Sequence, residues 1–397
     1  MTTSIIITIC GLLLLAYLFD ISASKTKIPS VISLLILGWA AKQASSFFDI
    51  TIPDLTPVLP ILGTVGLVLI VLEGTLELEL NRSKLPLVAK SSLVALLPML
   101  VLSFCLAYAF QYYGNCSFKI GLANAIPFAI ISSAIAIPSA KNLMANHKEF
   151  ITYESSLSDI FGVILFNFIT LNDAITVAIA GHFIVDLLLT LIVTFVATIL
   201  LAYLLSKIQQ PVKFVPIILM IVLIYAIAKT YHLPALIFIL LFGLFMGNLD
   251  ELKHIGFIQK LQPNILNKEV HRFKDLTTEI VFLARALFFL LFGFLIETSE
   301  LLNANTIIWA VSITAAIFLL RFACLKLFKL SVKPLLFIAP RGLITVLLFL
   351  SIPISQSNSI ANKSLIIQVI ILSAIVMMVG LMTNKAKSTT AETTITV

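Results

Sequence analysis

The chain has 397 residues, of which 60% are hydrophobic and only 11% are charged, and its mean hydropathy is +1.11. Soluble globular proteins carry about 25% charged residues, so this composition excludes a soluble protein and indicates an integral membrane protein. The net charge of +7 could suggest a nucleic-acid-binding surface, but the basic residues are spread over short loops and form no basic face. No nucleic-acid partner is therefore expected.

Apolar runs of membrane-spanning length follow one another along the whole chain. Because a span takes about 20 apolar residues, the runs predict an all-α membrane protein with about thirteen transmembrane helices. No Lys or Arg precedes the first run and Asp20 follows it directly, which favours a retained span over a cleaved signal peptide. The predicted spans are 5–19, 29–44, 57–76, 86–110, 118–141, 152–171, 177–206, 213–229, 234–248, 277–296, 304–325, 334–354 and 363–383.

The loop charges predict the orientation of these spans. With the N-terminus outside, nineteen basic residues fall in inside segments and four in outside segments. Short cytoplasmic loops carry the excess of Lys and Arg, so an odd number of spans with a cytoplasmic C-terminus in the inner or plasma membrane is expected. The longest hydrophilic stretch, 248–276, lies inside, and the Thr-rich tail at 385–397 is predicted to be disordered.

Two spans are interrupted at corresponding places of the chain. The fifth carries Ile137 and Pro138 and the twelfth carries Pro340 and Gly342, each being the fifth of six spans around a central seventh. We therefore interpret residues 1–397 as one transporter domain with two inverted six-helix repeats, at about 1–172 and 213–384. Matched breaks in two halves point to crossing broken helices with a binding site at the midplane. The alternative is that each proline only kinks its helix.

The sixth span carries two carboxylates, Glu154 and Asp159, at a depth where ionisable groups are rare and mark functional sites. Five residues apart on a helix, they project about 140° from each other. They form no shared dyad, so each needs its own partner from another span.

Asp159 is the candidate ion-binding residue, and Na⁺ the metal it would bind. Burial favours the protonated form of a carboxyl group and a bound cation favours the ionised form, so one such group holds a proton or a monovalent cation in turn. Neutral oxygens from Ser133, Ser155 and Ser158 would add ligands of the type that hard cations prefer. The alternative is a structural carboxylate paired with an arginine.

Two arginines within the predicted spans are possible partners for these acids. Arg341 lies between Pro340 and Gly342 and requires a counter-charge at that depth, so we predict a structural ion pair between Glu154 and Arg341. Arg321 either reaches the ion site or extends to the inside surface beside Lys326.

Motifs of enzymes are missing from the sequence. It contains no HExxH, GxSxG, P-loop or GxGxxG pattern, so neither an enzyme nor a cofactor is expected.

Four segments resemble the monovalent cation:proton antiporter superfamily, and most closely its sodium/hydrogen exchanger branch. ESSLSDIFGVILF at 154–166 is similar to the Glu-Ser-x-x-Asn-Asp motif of the sixth span, and APRGLITV at 339–346 resembles the Gly-Leu-Arg-Gly motif. LIVLEGTLELEL at 69–80 resembles the end of the third span, and RFACLKLF at 321–328 the eleventh-span segment. The resemblance covers nearly the whole chain.

The resemblance implies that Asp159 binds the ion, that Arg341 pairs with Glu154, and that a homodimer carries a moving core. The family's Asn is Ser158 here, so one central carboxylate implies one cation exchanged per proton. The fifth span reads Ala136-Ile137-Pro138 where exchangers carry Thr-Asp-Pro. ISSAIAI at 131–137 also resembles the Ser-Ser-Thr-Ala-Ile-Val of potassium-efflux antiporters.

The sequence thus predicts an electroneutral antiporter that exchanges Na⁺, or alternatively Li⁺ or K⁺, for H⁺ across the bilayer. One alternative is a sodium-coupled symporter of the same fold that binds an organic anion at Arg341. The other is a membrane sensor or assembly subunit that has lost transport together with the fifth-span Asp.

Overall fold

The computed structural model describes residues 2–26, 28–49, 52–78, 83–172, 177–207, 210, 212–231, 233, 235–252 and 263–383. Throughout these residues the regular structure is helical and no strand occurs. Seven helical segments within them are long and apolar enough to cross a membrane. The predicted disordered tail at 385–397 lies outside the described residues.

Eleven of the predicted apolar runs each fall on one α-helix, the fifth falls on two, and the twelfth contains a 3₁₀ turn, a non-helical segment and one short α-helix. The thirteen-span count and the inverted repeats remain predictions. The α-helices are α1 (Thr2–Thr26), α2 (Ser30–Phe47), α3 (Val58–Leu76), α4 (Leu85–Gly114), α5 (Phe118–Ala129), α6 (Ser133–Ser139), α7 (Ala145–Leu171), α8 (Val177–Lys207), α9 (Phe214–Thr230), α10 (Ala235–Gly247), α11 (Leu249–Leu252), α12 (Pro263–Phe294), α13 (Thr298–Leu301), α14 (Ala304–Leu327), α15 (Leu343–Leu350) and α16 (Lys363–Thr383). Single 3₁₀ turns occur at Leu335–Phe337 and Ile354–Gln356.

The hydrophilic stretch 248–276 is helical over much of its length. Helix α12 begins at Pro263 and continues without interruption into the tenth predicted span. Leu266, Val270, Phe273 and Thr277 are buried and recur at intervals of three or four residues, so this extension presents one packed face.

Ion pairs between distant segments join residues predicted on the same side of the membrane. Lys84 pairs with Glu149 (2.9 Å) and Lys213 with Glu269, all four predicted inside; Lys363 pairs with Glu300 (3.0 Å), both predicted outside. The orientation of the spans remains a prediction.

Helices α2 and α12 approach each other closely through glycines. A Cβ added at Gly38 would lie 2.2 Å from the carbonyl oxygen of Leu290, and one at Gly293 would lie 2.3 Å from that of Leu35. Small residues allow helix backbones to approach in this way in membranes, where packing drives helix association.

The fifth and twelfth spans both lose helical structure, and their non-helical segments contact each other. The fifth-span break lies at 130–132, between α5 and α6, and the twelfth-span break at 338–342, before α15. The N–H of Ser132 donates a 2.9 Å hydrogen bond to the carbonyl of Pro340, which joins the two breaks.

The prediction that Ile137 and Pro138 lie at the fifth-span break is wrong. Ile137 and Pro138 lie inside α6, whereas Pro340 and Gly342 do lie in the non-helical segment of the twelfth span. The chain unwinds earlier because its amides find acceptors elsewhere: Ile131 donates to the Ser158 hydroxyl and Ser132 to Pro340. Backbone groups freed from a helix in a membrane need such partners.

Candidate ion-binding site

Asp159 lies on α7 against the first residue of α6, and only 2% of it is exposed. The backbone N–H of Ser133 donates to its Oδ2 atom (3.3 Å), and the Ser133 hydroxyl donates to the same oxygen. The other oxygen, Oδ1, is buried and has no hydrogen-bond partner among the residues that the structure describes. Asp159 faces protein, not lipid, and pairs with no described arginine. One carboxylate oxygen is therefore held in place while the other has free acceptor capacity.

The other two predicted serines have different surroundings. The Ser158 hydroxyl accepts the Ile131 N–H (3.0 Å) and so supports the unwound backbone of the fifth-span break. The Ser155 hydroxyl donates to the Ile151 carbonyl of its own helix (2.7 Å). Of the three predicted oxygen donors, the structure thus brings Ser133 into hydrogen-bond contact with Asp159. Ser158 and Ser155 are bonded to backbone instead.

Glu154 pairs with Arg321 and not with Arg341, so the predicted structural ion pair is wrong. The Nη2 of Arg321 donates to Oε2 of Glu154 (2.8 Å) and its Nη1 donates to Oε1, which gives a bidentate pair. The Nε of Arg321 donates to the Leu335 carbonyl (2.7 Å), at the start of the 3₁₀ turn that precedes the twelfth-span break. Glu154 and Arg321 are 1% and 2% exposed. Arg321 therefore lies deep in the protein rather than at the inside surface.

Arg341 is bonded to backbone carbonyls at the end of α5. Its Nε donates to the carbonyl of Phe128 (2.6 Å) and its Nη2 to the carbonyl of Ala129 (3.4 Å). Its Nη1 donates to the carbonyl of Ala339, in the twelfth-span break (2.9 Å). The last carbonyls of a helix lack intrahelical partners and carry partial negative charge. Backbone carbonyls therefore bind the Arg341 guanidinium in place of the predicted Glu154 carboxylate.

Two groups that hold this arrangement are absent from the sequence predictions. Ser132 joins the two breaks through its backbone N–H. The Ser373 hydroxyl on α16 accepts a hydrogen bond from the backbone N–H of Arg341 (3.0 Å). Ser373 lies in an otherwise apolar run, VIILSAIVMM at 369–378. A hydroxyl isolated in such a run is the signal that could have marked it, because polar groups in a membrane interior need partners.

The model of the transmembrane sodium/hydrogen exchanger family matches residues 10–385, nearly the whole chain. The chain belongs to the sodium/hydrogen exchanger family. The family consists of membrane transporters that exchange cations for protons, and not of enzymes. None of the curated proteins matches this exchanger in sequence.

Solved structures of an archaeal antiporter resemble the exchanger in fold. A structure of the sodium proton antiporter MjNhaP1 from Methanocaldococcus jannaschii, at pH 8, superposes with a TM-score of 0.70 at 18% identity, covering 96% of this chain and 100% of that one. A structure of MjNhaP1 from an electron-microscopy map superposes with a TM-score of 0.65 at 18% identity, covering 96% of this chain and 95% of that one. At this identity the likeness shows the fold alone.

The exchanger carries no acidic residue in its fifth-span break. Residues 130–133 read Ile-Ile-Ser-Ser, so Ser132 and Ser133 are the polar side chains there. Ser132 and Ile131 use their amides to hold the break, while Ser133 turns both its donors toward Asp159. Among the described residues, Asp159 on α7 supplies the carboxylate that contacts the start of α6.

Proposed function

We propose that this exchanger is a secondary antiporter that exchanges Na⁺ for H⁺ at Asp159, one cation per proton. The observation that carries the proposal is the asymmetric environment of the Asp159 carboxylate. Ser133 holds Oδ2, and Oδ1 is buried without a hydrogen-bond partner in the described part of the chain. A buried carboxylate oxygen in that state has the free lone pairs that a proton or a hard cation would use.

The exchange follows from competition for that oxygen. A cation on Asp159 favours the ionised carboxylate and expels the proton, and a proton on Asp159 removes the charge that holds the cation. The Ser133 hydroxyl fixes the orientation of the carboxylate and offers a neutral oxygen beside it. A core formed by α5, α6, α7 and the twelfth span would carry the loaded site across the membrane within a homodimer. The proposed location is the cell membrane, with the N-terminus outside and the C-terminus in the cytoplasm.

Ion flux in proteoliposomes tests the role of Asp159. With an imposed pH gradient, added Na⁺ should cause proton efflux in the wild type, and Asp159→Asn should reduce it to the level of protein-free liposomes. Asp54→Asn is the matched control, since Asp54 is an exposed acid in a loop that should leave the flux unchanged. Undiminished exchange in Asp159→Asn would remove this residue from the mechanism.

Stoichiometry and selectivity need separate measurements. Electroneutral exchange should be insensitive to a membrane potential clamped with K⁺ and valinomycin, whereas unequal charge transfer would make the rate follow that potential. Parallel assays with Na⁺, Li⁺ and K⁺ across pH rank the transported cations. A transport-inactive subunit would give no flux and no cation-dependent rise in Tm at any pH.

The surroundings of Arg341 disfavour an organic-anion symporter. The guanidinium is bonded to three backbone carbonyls, and the cavity beside it has a volume of about 20 Å³. That volume suits one water-sized species, which takes roughly 10–15 Å³, and not an organic carboxylate.

A further inference from the structure

A small cavity lies beside the non-helical segments of the two broken spans, and two buried guanidinium groups line it. Its volume is about 20 Å³. Arg321 and Arg341 form its polar wall, Ala129 and Ala339 belong to the broken spans, and Val94 and Ala95 of α4 lie among its apolar lining. We call this space the arginine cavity.

The charges around the arginine cavity do not balance. Both carboxylate oxygens of Glu154 are bonded to Arg321. Among the described residues, Arg341 contacts no carboxylate. Of the two guanidinium groups that line the cavity, one thus contacts a carboxylate and the other has no contacting counter-charge among the described residues, at a depth where an unpaired charge is strongly unfavourable.

The hydrogen-bond donors around the cavity are also in excess. A guanidinium has five N–H groups, and each of these two arginines uses three of them on acceptors in the described part of the chain. Two N–H groups therefore remain on each arginine. Buried donors of this kind need acceptors. A single water accepts at most two of them and leaves the net charge in place.

We propose that the arginine cavity binds one small monovalent anion of the chloride class. A monatomic anion accepts hydrogen bonds from both guanidinium groups, neutralises the excess charge and is little larger than the water-sized species that the volume admits. Residues of α4 and α14 line this site and Asp159 does not, so anion binding here is independent of the ion that Asp159 carries.

Thermal stability at constant Na⁺ tests anion binding independently of cation transport. The Tm of the purified full-length protein is measured in detergent in a series of samples. Across the series, sodium chloride replaces sodium gluconate at fixed ionic strength. A chloride concentration about ten times the dissociation constant shifts the folding equilibrium roughly 11-fold and should raise Tm on the order of 2 °C. The rise should saturate with chloride. An equal Tm in both anions would overturn the proposal.

Two variants locate the effect. Ala95→Val adds two methyl groups at a residue that lines the cavity and leaves both arginines unsubstituted, and the chloride-dependent rise in Tm should disappear. Val101→Leu is the control on the same helix, because Val101 is 45% exposed on the outer face of α4, and it should keep the rise. A rise retained by Ala95→Val would place the anion elsewhere and contradict the proposal. Arg341→Gln, which removes the excess charge, should also lose the rise if it folds.

Bromide, which scatters anomalously, can locate the anion in the wild-type protein. Crystals grown in sodium bromide should give an anomalous peak between the guanidinium groups of Arg321 and Arg341. Density there without anomalous signal would identify a water molecule and overturn the anion assignment.

Discussion

Arg321 on α14 binds both carboxylate oxygens of Glu154 on α7, and its Nε binds the Leu335 carbonyl just before the twelfth-span break. One guanidinium therefore joins three segments: the helix that carries Asp159, the eleventh predicted span and the broken twelfth span. Its planar fork matches a carboxylate in a way that a lysine ammonium does not. The pair is thus a structural element of the candidate core, five residues from the proposed ion site.

The first prediction concerns this pair. Glu154→Gln and Arg321→Gln should each lower the free energy of unfolding by about 3–5 kcal/mol, because either change leaves a buried charge unpaired. The double variant should lose less unfolding free energy than the sum of the two single losses. Unfolding in mixed micelles measures the loss for each of the three variants. Strictly additive losses would show that the two side chains do not interact.

The second prediction separates Arg341 from that pair. Arg341→Gln should destabilise the protein because the last carbonyls of α5 lose their donors, each unsatisfied buried group costing about 1–3 kcal/mol. In a double-mutant cycle with Glu154→Gln, the coupling energy of Arg341 should be smaller than that of Arg321. A larger coupling for Arg341 would restore the pairing that the sequence predicted.

Much of the fold could be predicted from hydrophobic length, charge bias and the position of acids within apolar runs. Asp159 and Glu154 stand out because charged groups in such runs are costly. The choice of partner for Glu154 could not be predicted, since two arginines at similar depth have equal chemistry. Arg341 does not need Glu154 because it binds the last backbone carbonyls of α5. The position of those carbonyls depends on where the fifth span breaks.

The position of that break also lies beyond local sequence signals. Pro138 suggested it, yet Pro138 lies within α6, one residue before that helix ends. The chain instead unwinds at 130–132, where Ser158 and Pro340 accept its amides. Those acceptors come from spans far away in sequence, so no pattern within residues 118–141 contains the information.

The third prediction concerns the oxygen donors at Asp159. Ser133→Ala removes the hydroxyl that holds Oδ2, and hydrogen bonds to charged groups are worth about 1.5–3 kcal/mol, so the KM for Na⁺ should rise roughly tenfold or more. Ser155→Ala is the matched control. Its hydroxyl bonds to its own helix, so its KM should stay near the wild-type value. Proton efflux as a function of Na⁺ concentration measures both, and equal values for the two variants would contradict the assigned role of Ser133.

The fourth prediction concerns pH at the predicted outer surface. The Lys42 side chain, hydrogen-bonded to the Glu297 carboxylate, holds the pKa of Glu297 below its usual range. The pair therefore stabilises the fold above the ordinary pKa of Glu, and this contribution is lost as pH falls through the lowered value. Both side chains are partly exposed, so Lys42→Met should cost less than about 1 kcal/mol at pH 7. The difference in Tm from wild type should vanish in acid and shrink in high salt; a difference independent of pH would have another origin.

The fifth prediction concerns the close approach of α2 and α12. Gly38→Ala would place a methyl group 2.2 Å from the Leu290 carbonyl oxygen, a backbone atom that no rotamer change can move. Because the helices must separate along this contact, we expect a loss of about 1–3 kcal/mol or more, the range for overpacking. Gly11→Ala is the control, since a Cβ there meets no atom within 4 Å, and it should be neutral or slightly stabilising through helix propensity. Thermal unfolding in detergent compares the two variants. Equal Tm values would mean that the α2–α12 contact is looser than the backbone distances indicate.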